Sequence, residues 1–232
     1  MKNIVRRHWQ LNDIEKGREL VRAIGKEIHE SFLIDQNNSE VIDCLIKYFH
    51  GNPDFTLPGG IHGTLEKGLL LIGKPGTGKT LLMEIFQKYV TYDEMFFHAD
   101  NKRCPLTFPI IRCERVVSGF ATYGNEEIEQ YMRRRIVCFD DLGEEQKETV
   151  HYGTRINVMQ TILEERYSRS CITLATTNHV VNDFNDMYGP RVKSRLHEMF
   201  NLIALHGPDR RVPAINLSLP LEIEPSTRRT EY

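Results

Sequence analysis

The sequence predicts an α/β fold, a parallel five-stranded sheet flanked by helices. Three observations carry that expectation: short continuous apolar runs recur, stretches of helical apolar spacing separate them, and a glycine-rich segment joins one of each. The runs are Gly68 to Ile72, Phe108 to Cys113, Ile136 to Phe139 and Cys171 to Ala175, with a fifth at Asn201 to Leu205. None alternates apolar with polar residues as a strand with one wet face would, so they read as strands buried on both faces. The helical stretches between them are Thr80 to Val90, Glu126 to Met132 and Thr154 to Tyr167. Strand and helix alternation of this kind builds a doubly wound sheet.

Two helices are expected ahead of the first strand. From Asn12 to about Phe32 the residues Ile14, Val21, Ile24 and Ile28 recur at helical spacing, with Asn12 or Asp13 available as cap. From Ser39 to His50, Val41, Ile42, Leu45, Ile46 and Phe49 form one stripe that Gly51 can end, and Gly51 to Gly63 reads as loop. The organisation that follows is a helical extension over 1–30, a core over 31–219 and a tail over 220–232. At 232 residues, 40% hydrophobic and 27% charged, the chain has the balance of a soluble globular protein with one main domain. It contains no apolar run of the roughly 18 residues a membrane span needs. Residues 1–9 carry Lys2, Arg6 and Arg7 with no apolar stretch behind them, so no secretory signal is expected and the location expected is cytoplasmic. Five cysteines, with no C-x-x-C pair, argue against a disulfide framework and against a zinc site. A net charge of -2 gives no overall attraction to nucleic acid, so any DNA contact must be local.

The densest signal is Gly73-Lys74-Pro75-Gly76-Thr77-Gly78-Lys79-Thr80, a full match to G-x-x-x-x-G-K-[ST] between a predicted strand and a predicted helix. Glycines let the backbone turn so that successive N–H groups point at phosphate oxygens, helped by the positive end of the following helix. Gly73, Pro75, Gly76, Thr77, Gly78, Lys79, Thr80 and Leu81 are the expected nucleotide-binding residues. Lys79 is placed to meet the outer phosphates of ATP, and the Thr80 hydroxyl to reach a magnesium ion, which binds through few protein ligands. A second signal is the apolar strand Arg135 to Phe139 followed by Asp140 and Asp141, which resembles a Walker B element. A carboxylate at the end of a buried strand can serve the magnesium shell, and a second can orient or deprotonate the attacking water. Asp140 takes the first role and Asp141 the second; because Asp is shorter than the Glu often found there, slow hydrolysis is expected. A third strand end, Thr173 to Asn178, offers Asn178 to the water or the last phosphate, although Asn at a strand end is also an ordinary turn residue.

Together these residues resemble an AAA+ ATPase of the bacterial DnaC-type helicase loaders and their IstB-type transposition relatives, over about Ser31 to Leu217. The resemblance rests on the P-loop, on Phe139-Asp140-Asp141-Leu142-Gly143, on Thr177-Asn178 at the sensor 1 position, and on Tyr188 to Leu196, which is similar to box VII. It implies that Arg195, in Ser-Arg-Leu, is an arginine finger for a neighbouring subunit, with Arg191 a second candidate; arginine suits the role because its fork is always charged. A surface salt bridge to an acid such as Glu198 is the plain alternative for Arg195. The resemblance further implies that the segment Phe32 to Asn38 receives the adenine, and that Asn201 to Leu205 with Gly207-Pro208-Asp209-Arg210-Arg211 forms the closing strand and turn. About 25 residues follow that strand, so the fold expected has no C-terminal helical lid and no sensor 2 arginine. The chain departs from such loaders at its N-terminus, where they carry a larger helicase-binding region.

What the resemblance implies is an assembly-dependent ATPase, using ATP and Mg2+ and self-associating through Arg195. It would act on a replication complex with single-stranded DNA and a replicative helicase, or on a transposase as a transposition helper. Candidate DNA contacts are Lys102-Arg103, the run Arg133 to Arg135, and the aromatics Phe120, Tyr123 and Tyr152, which can stack on bases. Two other classes fit a P-loop: a small-molecule kinase and an adaptor that holds ATP for shape. The acidic loop Gly143 to Glu148 would repel an anionic acceptor and argues against the kinase.

Overall fold

The computed structural model describes residues 5–6, 14–99 and 102–211. The expected tail at 220–232, the stretch on which no lid is expected, and the candidate caps Asn12 and Asp13 lie outside them. In chain order the elements are β1 (Val5–Arg6), α1 (Ile14–Ile28), α2 (Ser39–His50), β2 (Gly68–Ile72), α3 (Lys79–Tyr92), β3 (Phe96–Ala99), β4 (Lys102–Pro105) and β5 (Ile110–Arg112). There follow α4 (Cys113–Tyr123), α5 (Asn125–Arg133), β6 (Ile136–Asp140), β7 (Thr149–His151), β8 (Thr154–Ile156), α6 (Val158–Ser168), β9 (Ile172–Thr177), α7 (Phe184–Met199) and β10 (Phe200–Ala204).

Five of the strands form one parallel sheet in the order β10-β2-β9-β6-β5. The chain leaves β2 for the far edge at β5, steps back inward through β6 and β9, and crosses β2 to reach β10. Connections on the two sides of β2 therefore run in opposite directions, and a crevice opens at the carboxyl ends of β2 and β9, where α/β sheets place ligands. Both faces are covered, which is why the strands read as unbroken apolar runs. Leu69, Leu71, Cys138, Leu174 and Ile203 pack in one cluster with residues of α1, α2 and α3. Leu70, Val137, Phe139 and Ala175 face the other way into α4, α5, α6 and α7. Helix α1 is built into the first cluster through Val21 and Ile24, which are buried against it.

Several elements differ from the sequence expectation. Cys113 opens α4 instead of ending a strand. Thr154 to Ile156 is a strand of a two-residue hairpin, with Tyr152 and Gly153 both at positive φ as a type I′ turn requires, and the helix begins only after Asn157, whose side chain caps Gln160 N–H at 3.0 Å. Apolar residues at helical spacing beyond Asn157 drew the expected helix too far back. A small antiparallel sheet, β1-β3-β4, stands apart from the main one. Helix α7 is broken at Gly189 (φ 80, ψ 169) ahead of Pro190, and the Asn157 amide donates to Met187 O at 2.7 Å beside the break. All the cysteines are free, and burial pushes the Cys113 and Cys138 thiols well up, so both behave as small hydrophobes. Among the described residues, no helix is long and apolar enough to cross a membrane.

Among the described residues, the largest fully buried side chain is Arg166 near the end of α6. Its guanidinium donates to Thr173 Oγ1 at 2.9 Å, Tyr131 O at 2.6 Å, Arg134 O at 2.7 Å and Ile172 O at 2.6 Å. The cation is solvated by the carbonyl end of α5, whose dipole favours positive charge, and it ties α5, α6 and β9 together. Burial pulls its pKa down to about 10. Arg166→Ala is expected to lower stability by about 3–5 kcal/mol, since it leaves several buried acceptors unpaired. Urea unfolding followed by circular dichroism measures that loss.

Candidate nucleotide site

The glycine-rich turn after β2 runs into α3 with Gly76 (φ 80) and Gly78 (φ 97) in the left-handed region that glycine alone enters freely. Thr77 closes the turn on Lys74 O through its hydroxyl at 2.9 Å. Lys79 is 5% exposed, and its ammonium donates to Gly73 O at 2.8 Å, Lys74 O at 2.9 Å and Asn178 Oδ1 at 2.8 Å. Burial lowers its pKa, against the pull of Asp141 and Asp140. Helix α3 begins with no acidic residue in its first turn and no side-chain cap. Its leading amides thus face the crevice with a partial positive charge suited to an anion.

Around this lysine the ends of β6 and β9 form one hydrogen-bonded chain. Asp140, 2% exposed, accepts from the Thr80 hydroxyl at 2.8 Å and from the Thr176 hydroxyl at 2.7 Å, both on Oδ1. Thr176 in turn accepts from Asp141 N–H at 2.9 Å. That bond helps hold Asp141 at φ 56, a left-handed turn that Asp tolerates better than most residues. Burial, then the neighbouring Asp140 charge, raises the Asp141 carboxyl above its ordinary value, while Arg112 at the end of β5 and Lys79 pull it back. Asn178 bridges outward, its amide donating to Glu144 Oε1 at 2.9 Å, and His179 stands 3.3 Å from the same carboxylate. The Thr80 hydroxyl beside the Asp140 carboxylate is an all-oxygen pair of the kind a magnesium ion accepts while keeping its waters. Among the described residues there is no cluster of three or more His, Cys, Asp or Glu that could bind a metal by itself.

The structure thus brings Lys79, Thr80, Asp140, Asp141 and Asn178 together from three elements. It adds Thr176, Glu144 and Arg112, which sequence reading did not single out for this site. Thr176 carried a usable signal, a hydroxyl residue at the end of a strand that is otherwise buried and apolar. The turn after β10 forms a further wall: Arg210 N–H donates to Gly76 O at 2.9 Å, and its guanidinium lies 3.0 and 2.9 Å from the two oxygens of Asp35, in the segment ahead of α2. A Cβ at Gly76 would fall 1.9 Å from Asp209 Oδ1, so glycine is required there.

Arg195 is not part of this cluster. Helix α7 returns the chain from the carboxyl end of β9 to the amino end of β10, so a residue in its last turns sits toward the amino ends of the strands, away from the P-loop. There the Arg195 guanidinium lies over the Tyr167 ring, 4.4 Å from its centroid, while Glu198 accepts from the Tyr167 hydroxyl at 2.7 Å. Arg191 stands 3.8 Å from Glu164. Of the candidate stacking residues, Phe120 is 2% exposed and packs into the core, so it is withdrawn from base contact, whereas Tyr123 and Tyr152 are exposed. Arg134 and Arg135 border one cavity with Cys104 and Pro105, Arg103 lies over the Phe96 ring at 3.8 Å, and Arg133 pairs with Glu129.

Comparison with known proteins places this geometry. Residues 69–201, more than half of the chain, match the family model described as "ATPase family associated with various cellular activities (AAA)". No curated protein sequence matches the chain. Among solved structures it is similar to DnaI, with a TM-score of 0.55 and 19% identity over 84% of this chain and 93% of that one. It is similar to the DnaC helicase loader, with a TM-score of 0.53 and 17% identity over 77% and 96%. A candidate primosome component from Streptococcus pyogenes serotype M3 gives a TM-score of 0.57 and 17% identity over 84% and 99%. At these identities the likeness carries the fold, a five-stranded parallel sheet between helices. A P-loop on β2, paired carboxylates ending β6 and a family match spanning both lead to one statement: the chain belongs to the AAA family of ATPases.

Proposed function

We propose that this chain binds and hydrolyses MgATP and uses the cycle to remodel a DNA-replication complex, as a helicase-loader-like factor that works in the cytoplasm. The observation that carries the reading is two hydrogen-bonded sets side by side at the mouth of the crevice: Lys79 on Asn178, and the Thr80 and Thr176 hydroxyls on Asp140 with Asp141 N–H on Thr176. Lys79 now satisfies its charge on loop carbonyls and an amide, ligands that phosphate oxygens can replace with stronger, charge-assisted bonds. Thr80 and Asp140 would hold the magnesium ion, which neutralises charge on the phosphates when bound. Asp141, a carboxyl raised above its ordinary value beside the ionisable Asp140, is the group to orient the attacking water. Asn178, joined to Lys79 on one side and Glu144 on the other, ties the state of the phosphate site to the loop after β6. The similarity to DnaI and to the DnaC helicase loader supports the replication setting. A transposition helper would use the same site with another partner. The kinase reading loses ground, because Glu144 is turned toward the site through Asn178 and would oppose an anionic acceptor.

Lys79→Ala should abolish MgATP affinity, and titration with a fluorescent ATP analogue tests it; normal binding by this variant would sink the nucleotide site. Asp141→Asn should still bind MgATP but turn it over about 100-fold or more slowly, the span typical of a lost general base. Phosphate release, measured with and without single-stranded DNA, provides the check, and turnover at the normal rate would move the role elsewhere.

The position of Arg195, away from its own P-loop toward the amino ends of the strands, supports completion of the site in trans by a second copy. Removing an arginine finger lowers turnover by on the order of a thousandfold or more. Arg195→Ala is therefore expected to bind MgATP normally and fail to hydrolyse it. Mixing it with Lys79→Ala should restore activity, one copy supplying the P-loop and the other the finger. A mixture that co-assembles by light scattering yet stays inactive would refute the shared site.

A further inference from the structure

The loop that follows β6 is held in shape without the Glu144 side chain. Leu142 N–H donates to Thr176 O at 2.8 Å, the Thr177 hydroxyl donates to Leu142 O at 2.7 Å, and Glu144 N–H donates to Asp141 O at 3.1 Å. The next carboxylate, Glu145, accepts from Gly143 N–H at 2.8 Å and from the Tyr188 hydroxyl at 2.5 Å, which ties the loop to α7. Gly143, at φ 102, lets the loop approach His179 closely, since a Cβ there would fall 2.7 Å from the His179 ring. Two adjacent glutamates therefore have separate partners: Glu145 fastens the loop, and Glu144 reaches Asn178 from it.

Asn178 lies between two groups of opposite charge. Its Oδ1 accepts from the Lys79 ammonium at 2.8 Å, and its amide nitrogen donates to Glu144 Oε1 at 2.9 Å. An ammonium can only donate and a carboxylate ion can only accept, so the amide fits in one orientation. Turned over, it would set its hydrogens against the ammonium and its oxygen against the carboxylate. Glu144 Oε1 also lies 3.3 Å from His179 Nε2, an atom shut off from water. An amide NH2 has two hydrogens; Glu144 takes one and leaves the other to be given to an oxygen. Bound nucleotide would draw Lys79 to its outer phosphates. Of the two charges that orient this amide, Glu144 is then the one whose hold does not pass to the nucleotide.

On the reading of this crevice as a site of ATP hydrolysis with Asn178 at the last phosphate, we propose that Glu144 is a positioning residue for that reaction. It fixes the Asn178 amide with its nitrogen edge presented to the last phosphate or the attacking water, and it acts only through Asn178. A donor held in place beforehand counts most where charge builds during the reaction, so its alignment is felt in turnover more than in binding. A carboxylate here could instead act on the nucleotide by repulsion alone. That role predicts the opposite result, tighter binding once the charge is removed.

Steady-state phosphate release from the full chain over a range of MgATP, with single-stranded DNA present, tests this with Glu144→Ala, Glu144→Gln, Asn178→Ala and the Glu144→Ala/Asn178→Ala double variant. Glu144→Ala should lower kcat about tenfold, the scale of one hydrogen bond to a charged group. KM for MgATP should stay as it is, the mark of an interaction that counts in the transition state. Glu144→Gln keeps a side-chain oxygen for the Asn178 amide and should recover most of the rate. In the Asn178→Ala background, Glu144→Ala should cause no further loss, because the two act as a unit. Normal kcat in Glu144→Ala, or an equal loss with and without Asn178, overturns the assignment. So does a lower KM in both Glu144 variants with kcat unchanged, which would make the carboxylate a repelling charge only. Should Glu144→Ala fold poorly, Glu144→Gln and Glu144→Asp decide. Asp keeps the charge but falls short of the amide, so faster turnover with Gln supports positioning and faster turnover with Asp overturns it. If every Glu144 variant turns over normally while Lys79→Ala binds no MgATP, this assignment fails and the nucleotide site stands. If the unmodified chain releases no phosphate, the reading of the site as hydrolytic fails, and this assignment with it.

Discussion

A sheet covered by helices on both faces leaves its interior no water and few polar partners, so hydroxyls and charges gather where the strands end. In this chain that constraint acts at the carboxyl ends of β2, β6 and β9. Thr176, Thr177 and Asp140 are buried there, and each satisfies a neighbour: Asp140 takes two hydroxyls, and Thr177 donates to Leu142 O at 2.7 Å. The lysine of the glycine-rich loop completes the set by reaching three acceptors at once. A buried polar network of this kind is stabilising only when every member is paired. Because the strands are parallel and in register, their ends are brought side by side, and chemistry assembled from three separate segments acquires fixed geometry.

The P-loop was legible because its chemistry is contiguous: eight successive residues specify both the turn and the ligand class. The five buried strands were legible for a similar reason, since burial on both faces writes itself into each run of residues. Asp140 and Asp141 could be read as carboxylates at a strand end, but not the threonine that joins them, because Thr176 lies 36 positions from Asp140. Arg166 left no pattern at all; a single arginine in an amphipathic helix looks like surface until the carbonyls of α5 are seen around it. The β7–β8 hairpin was hidden because Ile156 fits the helical spacing of the residues that follow, and the Tyr-Gly turn gives a weaker signal than Asn-Gly or Asp-Gly. Phe120 illustrates the opposite error, an aromatic taken for a possible surface platform that packs into the second core cluster.

Charge is arranged with the same economy. A chain of net charge -2 concentrates opposite signs at the crevice, with Lys79, Arg112, Arg210 and Arg211 set against Asp35, Asp140, Asp141, Glu144 and Asp209. Burial works against the charged form of both Lys79 and Asp141, and their mutual attraction offsets only part of it. An incoming anion with its metal would enter a balanced set of charges and redistribute partners, with little need to overcome a field of one sign.

The break in α7 bears on how such a redistribution can travel. Proline at 190 removes an amide from the helix ladder, and the Asn157 amide on Met187 O fastens the neighbouring backbone to the start of α6. The bend is thereby a fixed elbow with a definite angle. Its short arm, at Met187, abuts Gly143 in the loop after β6, where a Cβ would fall 3.0 Å from the Met187 sulfur. Its long arm carries Arg191 and Arg195 along α6. Through this bend the loop beside Asn178 and the arm that carries Arg191 and Arg195 are parts of one packed path, the first at the carboxyl ends of the strands and the second toward their amino ends.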